Sequence, residues 1–393
     1  MKNYFLLFTC SVVFLGCSAS DYQSLTRAAL SKNPEVVLKS FVTNKGVQYA
    51  TNPKKLESDL KSIDKSIGEL FAVLIGEASK NWGKDNVKTP SKKEYVKYMQ
   101  NYKSRAMVDF DSGIVTVETL DTQNPQESLK KAIVTTLLLP QDPRSADLFN
   151  ANEIKLGDTP YLLGEVQDDQ GKNIRYEWRA NRFADILIKK SYQSKTITNG
   201  AKKEQVYYVQ IPMVKDHANI RVAKFKPYVQ KYAKIHGVSE NLVYAIIKTE
   251  SDFNQFAVSN VGAIGLMQIV PNSAGVDAYK HISGKSWTPT RSYLFDAKNN
   301  IELGSAYLSI IDKQYLVGIN NSISREYCVI SAYNTGSGNV LRTFHSDRQR
   351  AKDIINSKKP SDVYETLRLR LPYDETKRYL YKVIENKKDF VNL

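Results

Sequence analysis

The period of the apolar residues changes part-way along this chain, and that change limits the fold more than any single motif does. Up to about residue 214, helix-like and strand-like stretches are interleaved. From Lys54 to Lys80, Leu56, Leu60, Ile63, Ile67, Leu70, Phe71 and Leu74 recur at three- and four-residue intervals, which predicts an amphipathic helix. Ala106, Val108 and Phe110 alternate as far as Asp111-Ser112-Gly113, and Val115-Thr116-Val117 resumes beyond it, which reads as a β-hairpin. A helix is expected from Glu127 to Leu139, stopped by Pro140. A second hairpin is expected to turn at Asp168-Asp169-Gln170-Gly171, followed by a helix from Asn181 to Lys190 and a strand from Val206 to Met213. From Ile220 onward the strand signals fade into helical runs punctuated by Gly237, Pro271, Pro289, Gly336, Pro360 and Pro372. The fold class is therefore α+β: a mixed helix/strand domain over residues 54–214, then a mostly α domain over 215–393. With 393 residues, 42% of them hydrophobic, the chain can give each domain its own core.

Within the helical half one carboxyl group stands out. In Ser239 to Asn254, Leu242, Val243, Ile246 and Ile247 form one apolar stripe at helical spacing, and Glu250 projects near its middle while Lys248 points away. Burial disfavours the charged form of a carboxyl and raises its pKa, which suits a general acid that must still hold a proton near neutral pH. A Glu at the end of such a stripe can also simply pair with a Lys or emerge into solvent. No second carboxylate presents itself. Asp252 falls on another helix face, Asp277 and Asp296 have no recognisable catalytic context, and Asp296 ahead of a helix reads as an N-cap.

Further words occur in order: Glu250-Ser251-Asp252-Phe253-Asn254, Gly262-Ala263-Ile264-Gly265-Leu266-Met267-Gln268, Ala332-Tyr333-Asn334 and Glu375 to Val383. Together they resemble the lysozyme-like lytic transglycosylases, which cleave the glycan strands of bacterial peptidoglycan. In the first half, Tyr95 to Tyr98, Asp109 to Gly113, Asp142 to Asp147 and Phe183 to Asp185 are similar to the N-terminal domain of the membrane-bound C-type members of that family. The resemblance implies a lysozyme-like catalytic domain and a single acid. Glu250 would protonate the bond between N-acetylmuramic acid and N-acetylglucosamine and then, as carboxylate, take the proton of the muramyl C6 hydroxyl as it attacks C1. It further implies that Ser259, Met267 and Gln268 line the groove, with Ser259 near the N-acetyl oxygen and Gln268 donating to the sugar. Tyr333 would offer a ring face or hydroxyl, Asn334 an amide, and Tyr379 would close the groove. Each has a plainer reading in packing or helix termination. Close packing is the expected role of Gly262, Gly265 and Leu266.

The first sixteen residues, Met1-Lys2-Asn3 and an apolar run, have the form of a secretory signal too short to span a bilayer, and Phe14-Leu15-Gly16-Cys17 resembles a lipoprotein cleavage site. The expectation is a signal peptide over 1–16, lipidation at Cys17, a polar tether over 17–53, and sorting to the outer membrane facing the periplasm, since no Asp comes after Cys17. Cys328, in an apolar stretch, would be a buried, inert thiol. The formal net charge of +15 could serve nucleic acid, an anionic membrane or an acidic polymer. Export argues against nucleic acid, and peptidoglycan stem peptides with their free carboxylates fit both compartment and sign. His217, His236, His281 and His345 lack metal-ligand spacing and no phosphate-binding loop is evident, so no metal or cofactor is expected. Two other functions remain open: a lysozyme-type hydrolase using water, and a non-catalytic wall-binding lipoprotein. An exposed, ion-paired Glu250 would favour the latter.

Overall fold

The computed structural model of the chain describes residues 67–391, except 158, 260 and 261. The expected signal, Cys17, the tether and the first turns of the helix expected from Lys54 lie outside the described residues.

The first half opens with helix α1 (Ile67–Trp82) and three strands, β1 (Glu94–Met99), β2 (Ser104–Asp109) and β3 (Ile114–Thr119). Next come helices α2 (Pro125–Leu137) and α3 (Glu177–Ser191), then strands β4 (Gln193–Asn199) and β5 (Lys202–Pro212). The strands form one antiparallel sheet in the order β1-β2-β3-β5-β4. The expected β2–β3 hairpin is present: Asp109 Oδ1 accepts from the backbone N–H groups of Asp111 and Ser112, at 3.0 and 3.1 Å, and closes the turn. The second expected hairpin is not. Around Asp168 the chain makes a tight turn with a single bridge, Gln167 to Asn173, because the Asp168 carboxylate gathers the N–H groups of Gln170 and Lys172 and the Arg179 guanidinium, leaving no ladder to extend. Strand β4 escapes the periodicity reading for a physical reason. It is a polar, largely exposed edge whose register comes from pairing with β5 and from the turn at Gly200, with no buried face of its own.

The second half is helical: α4 (His217–His236), α5 (Glu240–Ser251), α6 (Val276–Ser283), α7 (Arg291–Phe295), α8 (Ala297–Ile310), α9 (Ser322–Thr335), α10 (Ser337–Phe344), α11 (Arg348–Asn356), α12 (Pro360–Arg370) and α13 (Asp374–Lys388). Leu242 to Ile247 are all buried, so α5 runs through the middle of this half, packed against α4 and α13. Asp296 caps α8 as expected, accepting from the N–H of Asn299 at 3.0 Å. Cys328 is fully buried, and burial pushes its thiol pKa up to about 12.

Both halves meet at the turn after α5. Asp252 and Phe253 both have positive φ, 50° and 60°, a conformation that costs a bulky residue like Phe about 1–3 kcal/mol unless its surroundings impose it. Here they do. Arg221 of α4, fully buried, donates from Nη1 to the Asp252 carbonyl at 2.8 Å and from Nε to Glu165 Oε2 at 2.9 Å, and lies over the Phe110 ring. Lys224 shares the same Glu165, at 2.6 Å. Tyr161 stacks edge-on against Phe256, 4.8 Å between centroids, while its hydroxyl accepts from the N–H of Gln255 at 3.2 Å. Glu165, Phe110 and Tyr161 belong to the first half, so the turn out of α5 is held from the other half of the chain.

Removing one member of a buried, hydrogen-bonded charge pair typically costs ~3–5 kcal/mol. Arg221→Met is therefore expected to lower the unfolding free energy by about 3 kcal/mol, measured by urea denaturation. A loss below about 1 kcal/mol would show that Lys224 alone neutralises Glu165 and that Arg221 is not the clamp.

Candidate active site

Glu250 lies on the last turn of α5 and is only 4% exposed, among the apolar residues that make this helix a core element. The sequence placed a carboxyl where a core side chain belongs, and the fold keeps it there. It is also ion-paired. Lys92, in the loop before β1, puts Nζ 3.1 Å from Glu250 Oε2. The test that would have favoured a non-catalytic scaffold, an exposed and ion-paired Glu250, thus divides: the pair exists, the exposure does not.

Lys92 is held at both ends. Its carbonyl accepts from Asn254 Nδ2 at 3.2 Å, just past the strained turn, and its ammonium also stands 4.0 Å from Glu375 Oε1 on α13. Burial pulls the Lys92 pKa down, but the charge of Glu250, the hydrogen bond to it and the charge of Glu375 outweigh that and hold it above the ordinary lysine value. Nothing in the sequence marks this lysine. It sits in the polar run Ser91-Lys92-Lys93, 158 residues before its partner, where a solvated cation is the default reading.

Two phenols flank the carboxyl. Tyr379 of α13 is buried, its hydroxyl has no hydrogen-bond partner in good geometry, and burial followed by the negative charge of Glu250 pushes its pKa well above the usual value. Tyr333 of α9 is pushed up for the same reasons in the same order. Its hydroxyl is committed: it donates to the Met267 carbonyl at 2.8 Å, so the ring is the part left to offer a ligand. Asn334 Oδ1 accepts from Thr376 Oγ1 at 2.6 Å, which fixes the amide and leaves its nitrogen uncommitted among the described residues.

The loop after the turn, residues 257–269, is folded back on α5 by Ser251 Oγ, which donates to the Leu266 carbonyl at 2.7 Å. Its organiser is one the sequence reading missed. Asn300 of α8, fully buried, donates to the carbonyls of Ile264 and Leu294 and accepts from the N–H of Met267, at 2.8, 2.9 and 2.8 Å. Gly265 is required here: its φ is +75°, and a Cβ would lie 2.4 Å from Asn300 Nδ2. Gly262 corrects its expected role, since a Cβ there would meet nothing within 4 Å and only its φ of +84° calls for glycine.

Three expected groove contacts look different in place. The Met267 side chain is fully buried and presses on α8, where a Cβ on Gly304 would fall 2.2 Å from its sulfur; it packs the core and does not line the groove. Gln268, at φ 48°, uses Nε2 on the carbonyls of Gly265 and Ala257, at 2.9 and 3.3 Å, so the atom left over is the buried acceptor Oε1, not a donor. Ser259 Oγ accepts from the N–H of Ala263 at 3.0 Å and retains its own proton to give.

Asp252, the nearest acid in sequence, faces Arg221 Nη1 at 3.8 Å; burial raises its pKa and Arg221 opposes that. Glu375, whose side chain is 64% exposed, lies across the Lys92 ammonium from Glu250. Among the described residues no three metal-ligating side chains converge. The arrangement is thus one buried carboxyl between a cation and two phenols, at the mouth of a loop with fixed amides: equipment for moving one proton.

Two family models match the chain: the N-terminal domain of membrane-bound lytic murein transglycosylase C over residues 51–224 and the transglycosylase SLT domain over residues 227–356. Membrane-bound lytic murein transglycosylase C of Yersinia pestis (strain Pestoides F) is 45% identical over 325 residues, covering 81% of this chain and 89% of that protein. The protein of the same name from Yersinia pseudotuberculosis serotype O:1b gives the same figures. Among solved structures, an inactive mutant of lytic transglycosylase Slt from Pseudomonas aeruginosa is 28% identical with a TM-score of 0.32, over 41% of this chain and 23% of that one. The 70 kDa soluble lytic transglycosylase of Escherichia coli is 24% identical with a TM-score of 0.33, over 42% and 24%.

Proposed function

This chain belongs to the membrane-bound lytic murein transglycosylase C family and is a lytic transglycosylase of peptidoglycan, and from that premise we propose that Glu250 is its single catalytic acid and base. The observation that carries this reading is the burial of Glu250 between the Lys92 ammonium and the phenols of Tyr333 and Tyr379, while Asp252 faces Arg221 instead. Protonated Glu250 gives its proton to the glycosidic oxygen, which leaves as the C4 hydroxyl of N-acetylglucosamine. The muramyl N-acetyl group supports the positive charge at C1. The C6 hydroxyl then attacks C1 and returns its proton to the Glu250 carboxylate, so the acid is regenerated and a 1,6-anhydromuramyl end is formed. No water is consumed.

Tyr379 would donate to the carboxylate as it forms, Tyr333 would present its ring to a sugar, and Asn334 its free amide hydrogens. Ser259 would donate to the N-acetyl oxygen. For Gln268 the reading changes from donor to acceptor, and Met267 acts only by carrying the carbonyl that fixes Tyr333. Exposed Glu375 favours one rival: as a base it would activate a water and make the enzyme a hydrolase.

We place the working parts at 1–16 for a signal peptide, 17–53 for a tether, 54–214 for the α+β domain and 215–393 for the catalytic domain. The relatives are named membrane-bound, and no helix among the described residues is long and apolar enough to cross a membrane. A lipid on Cys17 would supply the attachment, at the outer membrane facing the periplasm, because a multi-chain anchor holds a protein where charge alone does not.

Glu250→Gln keeps the shape and removes the acid. Anhydromuropeptide release from purified sacculi is expected to fall by at least ~10²–10⁴-fold with the circular dichroism spectrum unchanged. A variant keeping a tenth of the wild-type rate would remove Glu250 from the chemistry. Cys17→Ser is expected to abolish incorporation of labelled palmitate, and label persisting in that variant would place the anchor elsewhere.

A further inference from the structure

The charged groups around Glu250 come from three elements besides its own helix. On α13 stand Tyr379, a neutral phenol, and Glu375, an anion on the far side of Lys92. On α9 stands Tyr333, also a neutral phenol. On α5 itself, Lys248 is turned away and paired with Asp389 at 2.7 Å. The loop before β1 brings Lys92, and among the described residues it is the cation at this carboxyl. The contact is built from both ends, by the Asn254 amide on the Lys92 carbonyl and by Glu250 and Glu375 on its ammonium.

We infer that Lys92 is a positioning residue of the active site, through which the α+β domain supplies the cation that steadies the Glu250 carboxylate in the interval between giving up its proton and regaining one. The inference rests on the proposed role of Glu250 and deepens it, because it assigns the first domain a part in the chemistry. Donation to the glycosidic oxygen leaves a carboxylate in a site where burial opposes charge, and a cation 3.1 Å away offsets that opposition without exchanging a proton itself. The Lys92 ammonium keeps its proton throughout. The same interaction has a measurable side effect. A neighbouring cation favours the charged form of a carboxyl, so its removal has a readout in the pH profile.

The test is the pH profile of kcat/KM for the full chain on soluble glycan strands, in wild type, Lys92→Met and Lys92→Arg. The alkaline fall marks loss of the protonated acid. A charge at this range typically moves such a limb by roughly 1–3 pH units, and the lower end applies because the Lys92 side chain is 37% exposed. Lys92→Met is expected to shift the alkaline limb upward by about one pH unit, and Lys92→Arg to leave it at the wild-type position. Lys92→Gln reads the same limb where the Met variant lacks a cooperative unfolding transition. An unshifted limb in the neutral variants overturns the inference, even if the rate drops, since a purely structural role lowers it alike at every pH. If wild type still releases anhydro product and Glu250→Gln does not, that unshifted limb leaves the proposed function standing; absence of anhydro product from wild type overturns both.

Discussion

The site depends on a backbone reversal that is held from both halves of the chain. Two consecutive residues with positive φ, Asp252 and Phe253, turn the chain out of α5 immediately after Glu250. The Arg221 guanidinium ties the first of these to Glu165, and Tyr161 packs under the segment just beyond them. That clamp ties the left-handed pair, and with it Asn254, which anchors the Lys92 carbonyl, to the first half of the chain. The strain is stored two residues from the carboxyl and balanced by contacts across the seam between the halves. Phe253 also packs against Phe225 and Phe390, at 6.3 and 6.1 Å, so the turn is buried on the helical side as well.

This reversal leaves the Glu250 carboxyl flanked by two neutral phenols and the Lys92 ammonium, with Glu375 beyond that cation. The flanking phenols keep their protons, since burial and the adjacent carboxylate both oppose ionisation, so they can donate without competing for charge. The loop of residues 257–269 adds fixed amides and hydroxyls rather than further acids. Asn300 organises it from behind, bonding the Met267 N–H and the Leu294 carbonyl and sharing the Ile264 carbonyl with the N–H of Ile269.

Much of this was legible in the chain, for reasons of period and proximity. The stripe Leu242 to Ile247 located Glu250 because a single helix obeys one period, and Asp296 was readable as a cap because the signal is local. The β2–β3 hairpin was betrayed by alternation broken at Asp111-Ser112-Gly113. What escaped was non-local or unpatterned. Lys92 meets Glu250 only because the loop before β1 is brought against the segment after α5, by the Asn254 amide on the Lys92 carbonyl and by Tyr95 against Phe256, and no property of residues 91–93 encodes that. Strand β4 has no apolar face to reveal it. Met267 and Gln268 were assigned to the groove by likeness, whereas their orientation is decided by Gly304 opening a slot in α8 and by two carbonyls that claim the Gln268 amide.

One carboxyl suffices if the substrate supplies its own nucleophile, and Glu375 is then a partner of Lys92 and nothing more. Digestion of peptidoglycan by the full chain in water enriched in heavy oxygen, with mass spectrometry of the released muropeptides, tests this directly. The expected products are lighter than the hydrolysed species by one water and free of the heavy isotope. Reducing ends that carry the heavy oxygen at C1 would contradict it and make the enzyme a hydrolase.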